Sequence, residues 1–289
     1  MGRDMTTTPG KRQTGVLGDL RIPLGLGLLR LSTEGRPAEA DAIAVIHFAL
    51  DHGIRVLDTA DAYALDDKEL HYGERLIRQA LDAWKGPRDD VKILTKIGMA
   101  RPKGKWVPNG RPEHLRKAIE GSLKRLRLDR IDLYQLHRID PKVPLHESLG
   151  ALAALQREGK IRHIGVSNFS VGELRQAREL VPIASVQNRY SLVDRQSEDV
   201  LDECTRLGLA FIPWFPLGAG DLSSGKAIEL VASRRGVTSH QLAIAWLLQR
   251  ADNLLPIPGT SSVKHLEENM ASAELTLLPE DLRVLDGKR

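Results

Sequence analysis

Cysteine is almost missing: Cys204 stands alone in 289 residues. That excludes a disulfide framework and any multi-cysteine zinc site, and it suits a reducing compartment. Aromatic residues are scarce as well, with four Trp, four Tyr and four Phe. A core must therefore be built mostly from Leu, Ile, Val and Ala. No run approaches the ~18 uninterrupted apolar residues of a membrane span. The polar stretch Met1–Gln13 lacks the apolar centre of a signal peptide and reads as a disordered leader before a domain over 14–289. A surplus of one charge is missing too. Forty-two basic against 38 acidic residues leave a net +4, too thin an excess to argue for nucleic acid. A cytoplasmic protein with a small-molecule ligand, and neither membrane nor nucleic acid as partner, is the expectation.

What is present is alternation. Short apolar runs at Leu24–Leu31, Arg55–Thr59, Val91–Lys96, Ile131–His137, Arg162–Val166, Ala184–Gln187, Ala210–Trp214 and Leu254–Pro258 have the length of strands. Between them lie stretches of helical period, among them Ala38–His52, Pro112–Arg127, Leu145–Glu158 and Gln241–Arg250. Alternating β and α implies a parallel sheet with right-handed crossovers. Eight units in one chain favour closure into a (β/α)8 TIM barrel, with a doubly wound open sheet as the rival. No linker divides the chain, so one domain is expected. Gly18-Asp19, flanked by apolar residues, predicts an N-terminal β-hairpin over Thr14–Ile22 that plugs the bottom of the barrel.

Several chemistries can be set aside. Gly25-Leu26-Gly27 begins like a dinucleotide fingerprint, but Arg30 occupies the third glycine position. Gly165-Val166-Ser167-Asn168-Phe169 lacks the second glycine of a nucleophile elbow. The nine histidines show no HExxH and no metal spacing, so no metal is expected.

In such a barrel the chemistry sits at the C-terminal strand ends. That rule selects Asp58, Tyr63 on the loop beyond it, Lys96 and His137. Each alone has a plain structural explanation, as a cap, a loop anchor, a counter-charge or a strand-end histidine. Four such groups at three consecutive strand ends are harder to explain that way. The series Val56-Leu57-Asp58-Thr59-Ala60 with Tyr63, then Leu94-Thr95-Lys96, then Ile131-Asp132-Leu133 with Leu136-His137, resembles the aldo-keto reductases. The resemblance runs from Leu24 to about Leu278. It implies a (β/α)8 barrel that binds NADPH and reduces aldehydes or ketones, with Asp58, Tyr63, Lys96 and His137 as its catalytic tetrad.

The resemblance also implies a set of cofactor contacts. Ser167, Asn168 and Gln187 would clamp the nicotinamide carboxamide, to which Ser, Asn and Gln offer both donors and acceptors, and Gly27 would be a further cofactor contact. Trp214 stands where the family commonly has a stacking Tyr. Pro216, Leu217 and Gly218 would line the pyrophosphate, and Gly259, Thr260 and Ser261 at the eighth strand end, a helix N-cap if taken alone, stand where these barrels usually hold a phosphate. Glu268 and Asn269 would face the adenine. His265 replaces the family's usual arginine at the 2′-phosphate, so the preference for NADPH over NADH should be narrower than usual. Short loops after the fourth and seventh strands leave the long Gly98–Arg111 segment as pocket wall. Trp106 is its candidate substrate contact, a loop anchor being the alternative. These features look like a bacterial branch that includes pyridoxal reductases, which makes pyridoxal or another aromatic aldehyde a plausible substrate. Two rivals stay open: a cofactor-binding regulatory subunit on the same barrel, like the β subunits of voltage-gated potassium channels, and a barrel acting on sugar phosphates.

Overall fold

The alternating runs become β1 (Leu26–Gly27), β2 (Val56–Asp58), β3 (Lys92–Ile97), β4 (Met99–Ala100), β5 (Val107–Pro108), β6 (Ile131–Leu136), β7 (Ile161–Ser167), β8 (Ile183–Gln187) and β9 (Ala210–Phe211). The computed structural model describes residues 14–218, 222 and 225–287. The expected leader over 1–13 and part of the loop after β9 lie outside the described residues. Seven of the strands form one parallel sheet in the order β1-β2-β3-β6-β7-β8-β9, while β4 and β5 pair antiparallel as a separate hairpin.

The eighth stave is Leu254–Pro258, and it forms no regular strand. Pro256 and Pro258 have no N–H to give, so its ladder is carried by the other residues and by carbonyls. Leu255 N donates to Phe211 O at 2.9 Å and Gly25 N donates to Pro256 O at 2.9 Å. Those bonds join β9 to the start of β1 and curl the sheet into a ring, consistent with a TIM barrel.

Helices alternate with the staves: α1 (Leu29–Ser32), α2 (Glu39–Asp51), α3 (Tyr72–Ala83), α4 (Pro112–Leu126), α5 (Leu145–Arg157), α6 (Val171–Leu180), α7 (Glu198–Leu207), α8 (Lys226–Arg235), α9 (Ser239–Arg250), α10 (Val263–Ala271) and α11 (Pro279–Leu285). Their starts follow ordinary end chemistry. Ser170 with Glu173 and Thr238 with Gln241 form capping boxes, and Pro112 opens α4 where its missing N–H costs nothing. Aliphatic side chains fill the space between sheet and helices, while Val56, Leu94, Leu133, Ala210, Ile212, Leu255 and Ile257 pack inside the ring. No helix among the described residues is long and apolar enough to cross a membrane.

Three expectations need correction. No hairpin forms over the described residues 14–22. Gly15–Leu17 is a 3₁₀ turn instead, closed by Thr14 Oγ1 donating to Gly18 O. Gly15 takes a positive φ of 57°, which coils the backbone where the first strand of the hairpin would have to run straight. Leu17 is buried in the inner cluster with Val16 and Leu20 packed against it, and Leu17 O is held by Lys92 Nζ at 2.8 Å. The first strand is only Leu26–Gly27, because Leu29–Ser32 coils into α1 and buries Leu31. The Gly98–Arg111 segment is no open loop: β4 and β5 give it a hairpin frame.

Candidate active site

Asp58 ends β2, and the chain then turns sharply so that Tyr63 returns to the same strand end. Thr59 N donates to Leu94 O at 2.8 Å and Asp61 N to Lys96 O at 3.0 Å, extending the pairing with β3 beyond the regular ladder. Tyr63 N closes a turn onto Ala60 O at 3.1 Å. Lys96 on β3 is 1% exposed, and all three of its protons are used. Its Nζ donates to Asp58 Oδ1 at 2.7 Å, to Thr59 O at 2.7 Å and to Tyr63 OH at 3.2 Å. His137, just beyond β6, stands with its ring 6.1 Å from that of Tyr63, edge to face. The four residues singled out in the sequence thus converge on one spot.

Burial sets the electrostatics. It works against the charge on Lys96, but Asp58 and Tyr63 outweigh it and hold the ammonium above its ordinary range. Burial pushes the Asp58 carboxyl up, against Lys96 and the Gln187 amide. The Tyr63 phenol is raised by burial more than Lys96 lowers it. An ammonium beside a phenol by itself acidifies it; desolvation of this site reverses the net direction. His137 is driven well below its usual range by burial, with the Lys96 and Arg138 charges adding to the effect. Its ring is neutral at pH 7, and Nδ1 is buried without a partner.

These groups sit at the floor of a cleft of about 1140 Å³. Ser167 ends β7, and Asn168 follows at φ 61°, a left-handed conformation that asparagine tolerates. Asn168 Nδ2 donates to His137 O and to Ser167 Oγ, both at 3.0 Å. Gln187 ends β8, and its Nε2 donates to Asp58 Oδ2 at 2.9 Å, so part of the expected carboxamide contact is committed to Asp58. Trp214, Pro216, Leu217, Gly259, Thr260, Ser261, His265, Glu268 and Asn269 all line the cleft. Gly218 does not: it closes a turn onto Phe215 O at 2.9 Å, and a Cβ there would strike Val193. Gly27 lines the cleft, and its lack of a side chain has a packing reason as well. A Cβ at Gly27 would meet Ile257 O at 2.7 Å, and one at Gly259 would meet Gly27 O at 2.9 Å.

Trp106 hangs from the β4–β5 hairpin over the same floor. Its ring stands 6.1 Å from Tyr63 and 6.0 Å from His137, edge to face in both pairs. It is both of the things expected of it, a wall of the cleft and an anchor, since the Arg101 guanidinium stacks on it at 3.9 Å. Sequence reasoning passed over Arg30, Glu34, Arg101, Arg138, Thr238 and His240, which also line the cleft. Arg138 could have been found, because it directly follows His137. Arg101 carried no comparable signal.

The aldo/keto reductase family model matches residues 23–289. An uncharacterized oxidoreductase of Schizosaccharomyces pombe is 39% identical over 277 residues, 93% of this chain and 88% of that one. Pyridoxine 4-dehydrogenase of Escherichia coli (strain K12) is 38% identical over 275 residues, 91% of this chain and 93% of that one. Among solved structures, an aldo/keto reductase from Klebsiella pneumoniae in complex with NADP and acetate has a TM-score of 0.79 at 30% identity, covering 96% of this chain and 94% of that one. The glycerol dehydrogenase from Gluconobacter oxydans has a TM-score of 0.81 at 26% identity, covering 93% and 94%. With the matched region spanning β1 to α11 and the floor groups meeting as described, the chain belongs to the aldo/keto reductase family.

Proposed function

We propose that the protein is an NADPH-dependent oxidoreductase that reversibly reduces an aldehyde or ketone to the alcohol, with residues 14–289 as one catalytic barrel. The observation that carries this reading is the Lys96 ammonium, fully spent on Asp58, Thr59 O and Tyr63 OH beneath an open cleft. The cleft's residues fit the cofactor. Trp214 offers an aromatic face whose Nε1 is buried without a partner. Ser167 and Asn168 offer polar atoms at the strand ends, and Thr260 and Ser261 precede α10, whose N-terminal amides favour phosphate. Gly27, Gln187, Pro216, Leu217, Gly259, His265, Glu268 and Asn269 complete the set. When bound, NADPH supplies the hydride.

The chain's own residues supply the proton and the geometry. Negative charge builds on the carbonyl oxygen during reduction, and Tyr63 OH is the group placed to donate to it. Because burial raises its pKa, Tyr63 stays protonated at neutral pH and is ready as an acid. Lys96 stabilises the tyrosinate left behind, and Asp58 keeps Lys96 charged and in place. Neutral His137, its Nδ1 buried, has Nε2 left to orient the carbonyl oxygen. Trp106 gives the pocket an aromatic wall, which together with the relationship to pyridoxine 4-dehydrogenase favours flat aromatic aldehydes such as pyridoxal. A cytoplasmic setting suits Cys204, whose thiol is pushed up to about 12 by burial and by Glu203, and so stays unreactive. A panel of aldehydes and ketones, followed by loss of NADPH absorbance, tests the proposal. Turnover of aromatic aldehydes is expected; no turnover of any member would reject it.

A further inference from the structure

Arginines at the substrate end of the cleft are short of partners. Arg138 directly follows His137, lines the cleft, and makes no hydrogen bond or ion pair to any described residue. The backbone it leaves from is fixed, because His137 N donates to Ile97 O at 2.8 Å and Asn168 Nδ2 donates to His137 O at 3.0 Å. The carboxylate in its own loop is already committed. Asp140 accepts from Gly110 N at 3.0 Å and from Lys142 N at 2.9 Å.

Arg101, which also lines the cleft, is 3% exposed and likewise lacks a carboxylate partner. Its guanidinium lies on the Trp106 ring, Nε and Nη2 donate to Gly104 O and Leu65 O, and Nη1 has no partner. Glu34 and Asp66 are near enough to act on it through their charge, and Glu34 lines the cleft, but neither bonds to it. A buried guanidinium without a counter-ion is costly unless something compensates for it. Lys96 cannot extend this positive field into the cleft, since Asp58 neutralises it.

We propose that Arg138, with Arg101 behind Trp106 supporting it, recognises an anionic group, a carboxylate or phosphate, on the carbonyl substrate. The inference rests on the carbonyl-reductase reading and narrows its substrate class. Arg138 is the specificity residue that meets the anion, since its side chain reaches solvent. Arg101 adds positive field from beneath the aromatic wall and holds Trp106 in place. An arginine suits either anion, because its planar fork matches both.

The test compares 4-carboxybenzaldehyde with its methyl ester, which differ in charge at one position. The acid should show a kcat/KM at least about fivefold above the ester, as expected for a hydrogen-bonded charge pair. The ratio should shrink in 0.5 M salt, where exposed charges are screened. In Arg138→Gln the ratio should fall toward one, and Arg138→Lys should recover part of it. Calorimetry gives a readout free of turnover: benzoate should bind the NADP-loaded protein more tightly than benzamide, and Arg138→Gln should abolish the difference. Formyl-aryl phosphates set against the carboxylate identify which anion is preferred. Equal kcat/KM for acid and ester together with equal binding of benzoate and benzamide would overturn the proposal. An acid preference that survives Arg138→Gln would overturn the assignment to Arg138. If neither aldehyde is reduced while benzoate outbinds benzamide in the parent and not in Arg138→Gln, the anion site stands and the reductase reading fails.

Discussion

Tyr63 and Lys96 show how one hydrogen bond can be read in two directions. At 3.2 Å the ammonium favours the phenolate, yet burial of the phenol outweighs it and the net shift is upward. In the proposed mechanism the protonated form is the active one for carbonyl reduction. The rate should therefore hold through neutral pH and fall only as alkaline pH strips the phenol. Tyr63→Phe should cut kcat by ~10²-fold or more while cofactor affinity changes little. Near-normal turnover in that variant would remove Tyr63 from the chemistry. The four floor residues were legible in the sequence because each lies at or just past a strand end, where period and position select candidates, and the family resemblance then supplied their roles. Arg101 was not, since what marks it out is a ring and two carbonyls brought up by tertiary structure. His71 was equally hidden. It stands at φ 73° before α3, its Nδ1 bonded to Asp61 O at 2.8 Å, and burial with the Arg125 charge pushes it down to about 4. An unfolded histidine protonates near 6.5. Between that pH and 4 the unfolded chain holds the extra proton, so the stability His71 gives above pH 6.5 drains away as the solution is acidified toward 4. His71→Gln should melt lower than the parent at pH 7, and the gap should narrow by pH 4. A gap that stays constant across thermal melts would exclude the linkage.

Elements were read best where a run is long and regular. β3, β6 and β7 and helices such as α2, α4 and α5 fall within a residue or two of expectation, because burial of one face imposes a strict period. Reading failed where backbone chemistry overrides side-chain pattern. Prolines at 256 and 258 deny the eighth stave a regular ladder, and the positive φ of Gly15 coils what was expected to be a hairpin strand. The same override makes the barrel seam brittle. Gly27 and Gly259 face each other across it, with Ile257 O only 2.7 Å from where a Gly27 Cβ would sit. The obstacle is backbone and cannot rotate away. Gly27→Ala should lower stability by about 1–3 kcal/mol, the scale of overpacking a tight site. A reduced urea midpoint with unchanged slope is the expected signature. An unchanged midpoint would show that the seam can open to admit a methyl group.

At the scale of the molecule, the ring that closes through this seam also bounds the cleft, so ligand and fold share a boundary. Gly27, Gly259, Thr260 and Ser261 lie where β1 meets the eighth stave, and His265 follows one turn into α10. A cofactor held there binds only the closed ring and must stabilise it. Saturation at 100 times Kd is worth about 2.7 kcal/mol for any ligand that ignores the unfolded chain. For a chain of this size that corresponds to a rise in Tm of several degrees. NADPH should give a larger rise than NADH at equal concentration. The margin should be modest, because His265 offers the 2′-phosphate neither a permanent charge nor a bidentate fork. His265→Arg restores both and should enlarge the NADPH shift while leaving that of NADH near its original value, since NADH has no phosphate for the guanidinium to grip. Equal or larger stabilisation of the unmodified protein by NADH would overturn the assignment of NADPH, and an identical gain for both cofactors in His265→Arg would place the 2′-phosphate elsewhere in the cleft.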